Sequence, residues 1–206
     1  MKIYKISPRF TLCNGEIGVD NFSEFLGQLP RIDLVYAAPP KPEYFSMWYG
    51  LMEKEKLPHG VFYSALFEIL KIIDALEYHI EVGESNEQMM RSFFSEWKPF
   101  DHQQRSLLYS APTNHKNRLT KCRKPTKIIV MSHHQVRMMP GRYSHEYLDQ
   151  LLDKPEKLNV FDPVIGKGLL ARYAIKYGHS CFGIEMNPDR LNCTLRFITE
   201  NLSEVK

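Results

Sequence analysis

The chain has 206 residues, of which 43% are hydrophobic and 25% are charged, and its formal net charge is +3. This composition excludes an intrinsically disordered protein, and no uncharged apolar run approaches the roughly 18 residues that a membrane-spanning helix needs. Since neither a Gly/Ser-rich linker nor an internal repeat divides the sequence, we predict a single domain over residues 1–206.

The amino terminus and the cysteines both favour a location inside the cell. Residues 1–6 contain no continuous apolar core of the kind found in signal peptides. The four cysteines are scattered without a Cys-x-x-Cys pair, which is typical of reduced thiols. We therefore expect a cytoplasmic protein with no membrane partner.

The first buried strand predicted along the chain spans residues 32–36 and runs into two prolines. Ala38-Pro39-Pro40-Lys41 follows it, and because proline fixes φ and ends ladder pairing, we predict a rigid turn there. The aromatic segment 44–49, which begins with Tyr44, either lines a pocket for a base or packs in the core.

The middle of the chain alternates helices and strands. Apolar residues at helical spacing predict a helix over 61–76, followed by a strand over 78–82 and a short helix over 86–94. Two further strands, 105–110 and 127–131, are predicted to form an antiparallel pair at the edge of the sheet, joined by a long connection. The alternation predicts a doubly wound α/β fold with a mixed sheet.

The long connection carries the strongest nucleic-acid signal. Residues 115–127 contain six basic side chains and no acid, enough to neutralise several phosphates. A solvated basic loop is the alternative. The residues predicted to contact nucleic acid are Lys116, Arg118, Lys121, Arg123, Lys124 and Lys127.

The carboxyl-terminal quarter has the pattern of a nucleoside-cofactor site. A strand over 158–161 precedes a glycine turn at Gly166 and Gly168 and a helix over 169–177, which Gly178 ends. A second strand, 180–185, ends in a carboxylate, as in folds that hold a ribose at a strand tip.

The last helix begins after this second strand. Asn187 is predicted to cap it, with proline at its first position, and it extends from residue 189 to about 202. The pattern Gly166-x-Gly168-x-x-Ala171 also satisfies the dinucleotide fingerprint. A dinucleotide domain usually opens with this unit, however, whereas here only 21 residues follow Glu185.

These two motifs together resemble the S-adenosylmethionine-dependent, amino-directed DNA methyltransferases with permuted, beta-class-like motif order. In that family a strand ending in Asp, Asn or Ser, then Pro-Pro and an aromatic residue, precedes an Asp-Pro-Phe-x-Gly-x-Gly cofactor loop. Residues 162–168 match the loop with Val164 in place of the aromatic. The resemblance covers residues 33–40 and 147–202 and implies a Rossmann-like methyltransferase fold.

The resemblance also implies roles for individual residues. Asp162 would orient the ammonium group of S-adenosylmethionine, the two glycines would admit its methionine part, and Glu185 would accept hydrogen bonds from its ribose. The residues that we predict to bind the cofactor are Phe161, Asp162, Pro163, Gly166, Gly168, Glu185 and Asn187. Those that we predict at the catalytic turn are Ala38, Pro39, Pro40, Lys41 and Tyr44.

The catalytic turn departs from the family pattern. The polar residue before the prolines and the first proline's carbonyl accept hydrogen bonds from the target amine in that family, and the aromatic residue stacks on the flipped base. Here Ala38 carries no acceptor and Lys41 is not aromatic, which leaves the Pro39 carbonyl. Three explanations are open: Glu43 supplies the acceptor and Tyr44 the ring, the chain is a catalytically silent relative, or Ala38 is an introduced substitution.

The function that we predict is methyl transfer to an exocyclic amino group of DNA, with adenine N6 favoured. The alternatives are an inactive methyltransferase-like subunit that binds nucleic acid or a partner, and a nicotinamide oxidoreductase. We expect S-adenosylmethionine as the cofactor, DNA as the partner and a possible homo- or hetero-oligomer. No metal is expected, since the pair His133-His134 matches no standard ligand spacing.

Overall fold

The structure is a computed structural model that describes residues 1–97, 103–113, 118–132 and 139–202. Its strands form one eight-stranded sheet in the order β1-β2-β8-β7-β3-β4-β6-β5. The strands are β1 (Lys2–Ser7), β2 (Phe10–Asn14), β3 (Leu34–Ala37), β4 (Glu77–Val82), β5 (Gln103–Pro112), β6 (Leu119–Ser132), β7 (Asn159–Asp162) and β8 (Ser180–Glu185).

Seven helices connect these strands within the described residues. They are α1 (Ser23–Gly27), α2 (Pro42–Leu51), α3 (His59–Ile73), α4 (Glu84–Trp97), α5 (Ser144–Leu151), α6 (Leu169–Tyr177) and α7 (Pro188–Asn201). None of the helices in the described part of the chain is both long and apolar enough to span a bilayer.

The helices cover both faces of the sheet. One hydrophobic cluster packs α1 to α4 against one face, with Phe62, Leu66 and Phe94 among its buried side chains. A second cluster packs α5 to α7 against the other face, with Tyr147 and Leu170 at its centre. Because a sheet residue alternates between faces along its strand, each cluster takes every second strand residue. The predicted doubly wound α/β fold is confirmed.

The five central strands are parallel, and the antiparallel strands on either side of them make the sheet mixed. Neighbours run parallel from β2 through β8, β7 and β3 to β4, whereas β1 is antiparallel to β2, and β6 is antiparallel to both β4 and β5. The chain leaves β7 through α6 towards β8, and leaves β3 through α2 and α3 towards β4. The connections therefore diverge between β7 and β3, which is where open α/β sheets bind their ligands.

The glycine turn and the elements after it follow the sequence prediction closely. The helix predicted at 169–177 and the strand predicted at 180–185 have those bounds. Gly178 ends α6 with a φ of 76°, and the Asn187 side chain accepts hydrogen bonds from the backbone N–H groups of residues 189 and 190. Local capping and turn chemistry determine these boundaries.

The prediction of a long connection between the two edge strands is wrong. Strand β6 extends from Leu119 through most of the basic segment, and it pairs with β5 as far as Leu119 opposite Pro112. The antiparallel pairing at the edge of the sheet, by contrast, is confirmed. The helices α3 and α4 differ from their predicted bounds by two to three residues at their ends, which is the usual uncertainty of boundary assignment.

Candidate cofactor and base pocket

A cavity of about 260 Å³ lies at the carboxyl ends of four neighbouring strands. Glu185 at the end of β8 and Pro163 after β7 line one end of it, and Ala38 after β3 and Glu81 near the end of β4 line the other. Small-molecule pockets usually begin at about 300 Å³. The cavity is therefore slightly smaller than that range, and it connects the two motifs found in the sequence.

The backbone around Glu185 is fixed by hydrogen bonds, and its carboxylate is almost completely buried. The Asn14 amide donates to the Glu185 carbonyl at 2.8 Å, and the Asn187 N–H donates to Oε1 of Glu185 at 2.9 Å. Burial raises the pKa of the carboxyl, against the favourable charge of Arg190. The nearest guanidinium nitrogen of Arg190 lies 4.0 Å from Oε2. A buried acid of this kind is suited to grip hydroxyl groups of a ligand.

The glycine turn packs tightly against α7. Gly166 and Gly168 have φ values of 57° and 79°, a conformation that favours glycine. A methyl group on Gly168 would lie 2.6 Å from Cγ2 of Thr194, and the Thr194 hydroxyl donates to the Gly166 carbonyl at 3.0 Å. A methyl group on Gly166 would collide with the Arg190 guanidinium. The position that a Cβ would occupy on each glycine is therefore on the side of α7 and not on the side of the cavity.

Asp162 ends β7 beneath this turn. One of its carboxylate oxygens accepts from the Val164 N–H at 2.9 Å. Burial raises the pKa of this carboxyl to about 8, and the nearby Glu185 carboxylate adds to the effect. Two buried carboxylates close to each other disfavour their own ionisation, so this end of the site fits a ligand that carries positive charge.

Arg190 closes the cavity on the side of α2. Its guanidinium carbon lies 4.5 Å from the centre of the Trp48 ring, a stacking arrangement of a cation on an aromatic face. Its Nε is buried without a hydrogen-bond partner in the described parts of the chain. Sequence reasoning missed Arg190 because a single arginine in the first turn of a helix has no distinctive pattern.

A chain of hydrogen bonds from α3 and α4 holds the Pro-Pro turn. The Tyr63 hydroxyl donates to the Pro40 carbonyl at 2.7 Å, the Asn86 amide donates to that hydroxyl at 3.0 Å, and the Gly83 N–H donates to the Asn86 side chain at 2.7 Å. No described donor bonds to the Pro39 carbonyl. These bonds support the turn, and its first carbonyl is available; the rigidity of the turn stays a prediction.

The side chains after the prolines diverge. Lys41 and Tyr44 line the cavity, and the Lys41 ammonium lies so close to Gly83 that a methyl group there would collide with it. Glu43 is exposed, and its carboxylate accepts from the Ser85 hydroxyl at 2.6 Å. Among the described residues, the cavity lining therefore includes Tyr44 and excludes Glu43.

Glu81 is the acidic residue at this end of the cavity. It is 3% exposed, and its Oε1 accepts a hydrogen bond from the Tyr36 hydroxyl. Burial raises the pKa of Glu81 to about 7, against the influence of the Tyr36 and Ser144 hydroxyls and the Lys41 charge. Sequence analysis assigned it only to a strand. The available signal was an acid inside a predicted strand, since charged residues are rare at buried positions.

The predicted site residues divide into two groups. All of the residues predicted at the catalytic turn line the cavity, as do Pro163, Glu185 and Asn187 of the predicted cofactor set. The other four predicted cofactor residues lie behind the residues that line the cavity. Phe161 is fully buried in the core, and Asp162, Gly166 and Gly168 shape the glycine turn.

The basic segment borders the acceptor end of the cavity. Thr126 lines the cavity and donates to the Val82 carbonyl at 2.7 Å. Lys127 pairs with Glu87 at 2.7 Å, whereas Arg118 and Lys121 are exposed, with the Lys121 ammonium 5.2 Å from the centre of the Tyr143 ring. Lys116 and the side chains of Arg123 and Lys124 lie outside the described residues, as do His133 and His134.

The chain is similar to known proteins in its structure and not in its sequence. No protein-family model and no curated protein matches the sequence. M1.HpyAVI is 11% identical, with 91% of this chain and 97% of that chain covered and a TM-score of 0.58. TTHA0409, a candidate DNA modification methylase from Thermus thermophilus, is 15% identical, with 92% and 95% covered and a TM-score of 0.59.

A third similar structure is the PvuII DNA methyltransferase, which is cytosine-N4-specific. It is 10% identical, with 97% of this chain and 92% of that chain covered and a TM-score of 0.59. The chain has the methyltransferase fold. Because the identities are so low, the likeness is one of fold, and the roles of individual residues depend on the geometry of the pocket.

Proposed function

We propose that the chain is an S-adenosylmethionine-dependent DNA methyltransferase that modifies an exocyclic amino group, with adenine N6 favoured. One observation carries the proposal: a single cavity connects the buried acid at the end of β8 with the Pro-Pro turn at the end of β3. Methyl transfer requires donor and acceptor to meet in line and away from water, and a cavity between two such ends provides that.

The β7–β8 end is suited to the cofactor. Glu185 would accept hydrogen bonds from ribose hydroxyls, Asn187 and Pro163 would border the same ligand, and Asp162 would balance its positive charge from behind the wall. When bound, S-adenosylmethionine supplies an electrophilic methyl group. M1.HpyAVI and TTHA0409 have both been crystallised with S-adenosylmethionine, which supports this cofactor over a nicotinamide.

The β3–β4 end is suited to a flipped base. The Pro39 carbonyl would accept from the target amine, and the Tyr44 ring would stack on the base. The exposed cations Arg118 and Lys121 would contact the phosphates on either side of it. The PvuII enzyme modifies cytosine N4, so the assay must distinguish the two target bases.

The experiment is a binding titration followed by a transfer assay. Calorimetry with S-adenosylmethionine should show one site, and label from the methyl group should pass to unmodified duplex DNA. Duplexes that contain only A·T or only G·C pairs identify the target base, and Glu185→Ala should abolish both binding and transfer. Absence of cofactor binding by the parent chain would refute the proposal.

One observation favours a second function, an inactive methyltransferase-like subunit that binds DNA. Ala38 provides no side-chain acceptor at the Pro-Pro turn. For such a subunit, DNA would bind independently of cofactor, and no label would be transferred. The single domain over residues 1–206, the permuted motif order and the cytoplasmic location stay predictions.

A further inference from the structure

Glu81 lies where the acceptor missing from position 38 would be expected. Strands β3 and β4 pair in parallel, with Tyr36 opposite His79 and Ala37 opposite Ile80. Since side chains alternate between faces, Ala38 and Glu81 project from the same face at the next position along the two strands. Neighbouring strands lie about 4.8 Å apart, so the Glu81 carboxylate is adjacent to the place of a side chain at position 38.

The Glu81 carboxylate has one oxygen held and one oxygen unused. Oε1 accepts from the Tyr36 hydroxyl. Oε2 is buried and makes no hydrogen bond of normal geometry with the described residues, although the Ser144 hydroxyl is near enough to stabilise the carboxylate. Glu81 lines the same cavity as Ala38 and Pro39. A buried polar atom without a partner is rare in proteins and is often found at a functional site.

The charged and titratable groups that surround Glu81 come from four neighbouring segments, whereas β6 places the apolar Ile128 beside it. Tyr36 on β3, Lys41 after the Pro-Pro turn, Tyr147 on α5 and Asp162 on β7 all interact with it electrostatically. Lys41 is the cation of this group, and it favours the carboxylate form. Burial acts in the opposite direction, so Glu81 titrates near neutral pH, the range in which a general base is most effective.

We infer that Glu81 is a catalytic residue of the proposed methyltransferase: its carboxylate replaces the side-chain acceptor that position 38 lacks and takes the proton from the target amine. This inference rests on the proposed function. In the step, the amino nitrogen forms a bond to the methyl carbon while the bond from that carbon to sulfur breaks, and the electron pair of the broken bond stays on sulfur. The proton released by nitrogen passes to the free oxygen of Glu81.

The first test compares Glu81→Gln with Glu43→Gln, a matched change of an exposed glutamate next to the same turn. For Glu81→Gln we expect kcat to fall about 100-fold or more, the scale of a lost general base, with the Kd for S-adenosylmethionine unchanged. The parent's rise in kcat with pH near 7 should be absent in this variant. Glu43→Gln should behave as the parent.

A second test exchanges the acceptor between strands. Glu81→Ala should be as inactive as Glu81→Gln. The double variant Ala38→Asp/Glu81→Ala should have a kcat at least about tenfold higher than that of Glu81→Ala, because the new carboxylate projects into the same space. Tyr36→Phe removes the hydroxyl that lowers the pKa of Glu81. For Tyr36→Phe, kcat should therefore rise with pH at a higher pH than in the parent and reach a similar plateau. Such a shift would show that Tyr36 acts on the pKa of Glu81 and is not merely a structural residue.

A third measurement does not need turnover. Between pH 5 and 8 the melting temperature of the parent should decrease relative to that of Glu81→Gln, because only the parent has a buried carboxyl at position 81 to ionise. Equal melting profiles, or transfer by Glu81→Gln at the parent's rate, would overturn the inference and leave the proposed function standing. A parent chain that binds no S-adenosylmethionine would overturn both.

Discussion

At the scale of single residues, Glu185 determines whether a ribose can be held. The acid is buried, and its carboxylate accepts from the Asn187 N–H at 2.9 Å, while the backbone N–H groups of Gly166 and Met186 also favour its ionised form. We expect Glu185→Gln to weaken S-adenosylmethionine binding by about 10- to 100-fold, the equivalent of one hydrogen bond to a charged group. Calorimetric titration at neutral pH measures this.

The control for this prediction is Glu68→Gln. Glu68 is exposed on α3 and pairs with Lys71 at 2.9 Å, remote from the residues that line the cavity. The Glu68→Gln variant should bind S-adenosylmethionine with the parent's affinity. Equal dissociation constants for Glu185→Gln and the parent would exclude a direct contact of Glu185 with the ligand.

At the scale of elements, the glycine turn between β7 and α6 is shaped by packing against α7. We expect Gly168→Ala to lower the free energy of unfolding by at least about 2 kcal/mol, because alanine is disfavoured at a φ of 79° and its methyl group would lie against Thr194. Chemical denaturation measures the change. Gly60→Ala, at a helical glycine with open space around it, should be neutral or slightly stabilising.

The Thr194→Ala change separates the two causes. Thr194→Ala removes the steric contact but not the left-handed backbone conformation at residue 168. The loss of stability in the double variant Gly168→Ala/Thr194→Ala should therefore be smaller than the sum of the losses in the two single variants. Strict additivity would show that Thr194 has no part in shaping the turn.

Strand β6, next to the edge strand β5, is the element through which we expect DNA to be held. Lys121→Ala should reduce the slope of log affinity against log salt by about 1, because one exposed cation is lost. Lys176→Ala should leave the slope unchanged, since Lys176 lies on α6 and its charge is paired with Asp149. Fluorescence anisotropy with labelled DNA at several salt concentrations gives both slopes. A parent-like slope for Lys121→Ala would exclude a phosphate contact at this residue.

Elements whose ends are set by capping residues could be predicted from the sequence, whereas the full length of β6 could not. The glycine cap of α6 and the Asn187 cap of α7 are encoded in a few adjacent residues. The basic half of β6 has no apolar alternation, because residues 119–126 pair only with β5, and pairing with β4 begins at Lys127. Pro125 is tolerated there, since no N–H is needed on that side.

At the scale of the whole molecule, the site is created by the order of the strands. The sequence places Ala38 and Glu81 on different strands, and only the register of β3 against β4 makes them neighbours. Periodicity predicts which face a residue occupies but not which strand lies beside it. For this reason the two motifs of the pocket could be predicted from the sequence, whereas Glu81 could not.

Two buried carboxyls line the pocket and a third, that of Asp162, lies behind it, and we expect these groups to make the molecule less stable as pH rises. Burial raises the pKa of Asp162 to about 8 and that of Glu81 to about 7, and it also raises that of Glu185. A raised folded-state pKa contributes stability below the unfolded value that is lost as pH rises through the folded value. The loss should therefore extend from about pH 4 to about pH 8.

The decisive variant is Asp162→Asn, which preserves the acceptor for the Val164 N–H but cannot ionise. At pH 8.5 we expect it to be more stable than the parent by about 2 kcal/mol or more, a rise of several degrees in melting temperature, whereas at pH 5 this advantage should be much smaller. Comparison at the same pH cancels the opposite effect of the buried His79 and His179, whose pKa values are lowered by burial. Asp153→Asn, at an exposed aspartate, is the matched control.

The cofactor connects this stability to function. A ligand that carries positive charge should stabilise the parent more at pH 8.5 than at pH 5, because the ionised carboxyls then gain a partner, and Asp162→Asn should lose most of that difference. Melting curves with and without S-adenosylmethionine at the two pH values measure it. If the parent and Asp162→Asn gained the same stabilisation at both, Asp162 would be a structural residue of the turn and not the acid that balances the cofactor's charge.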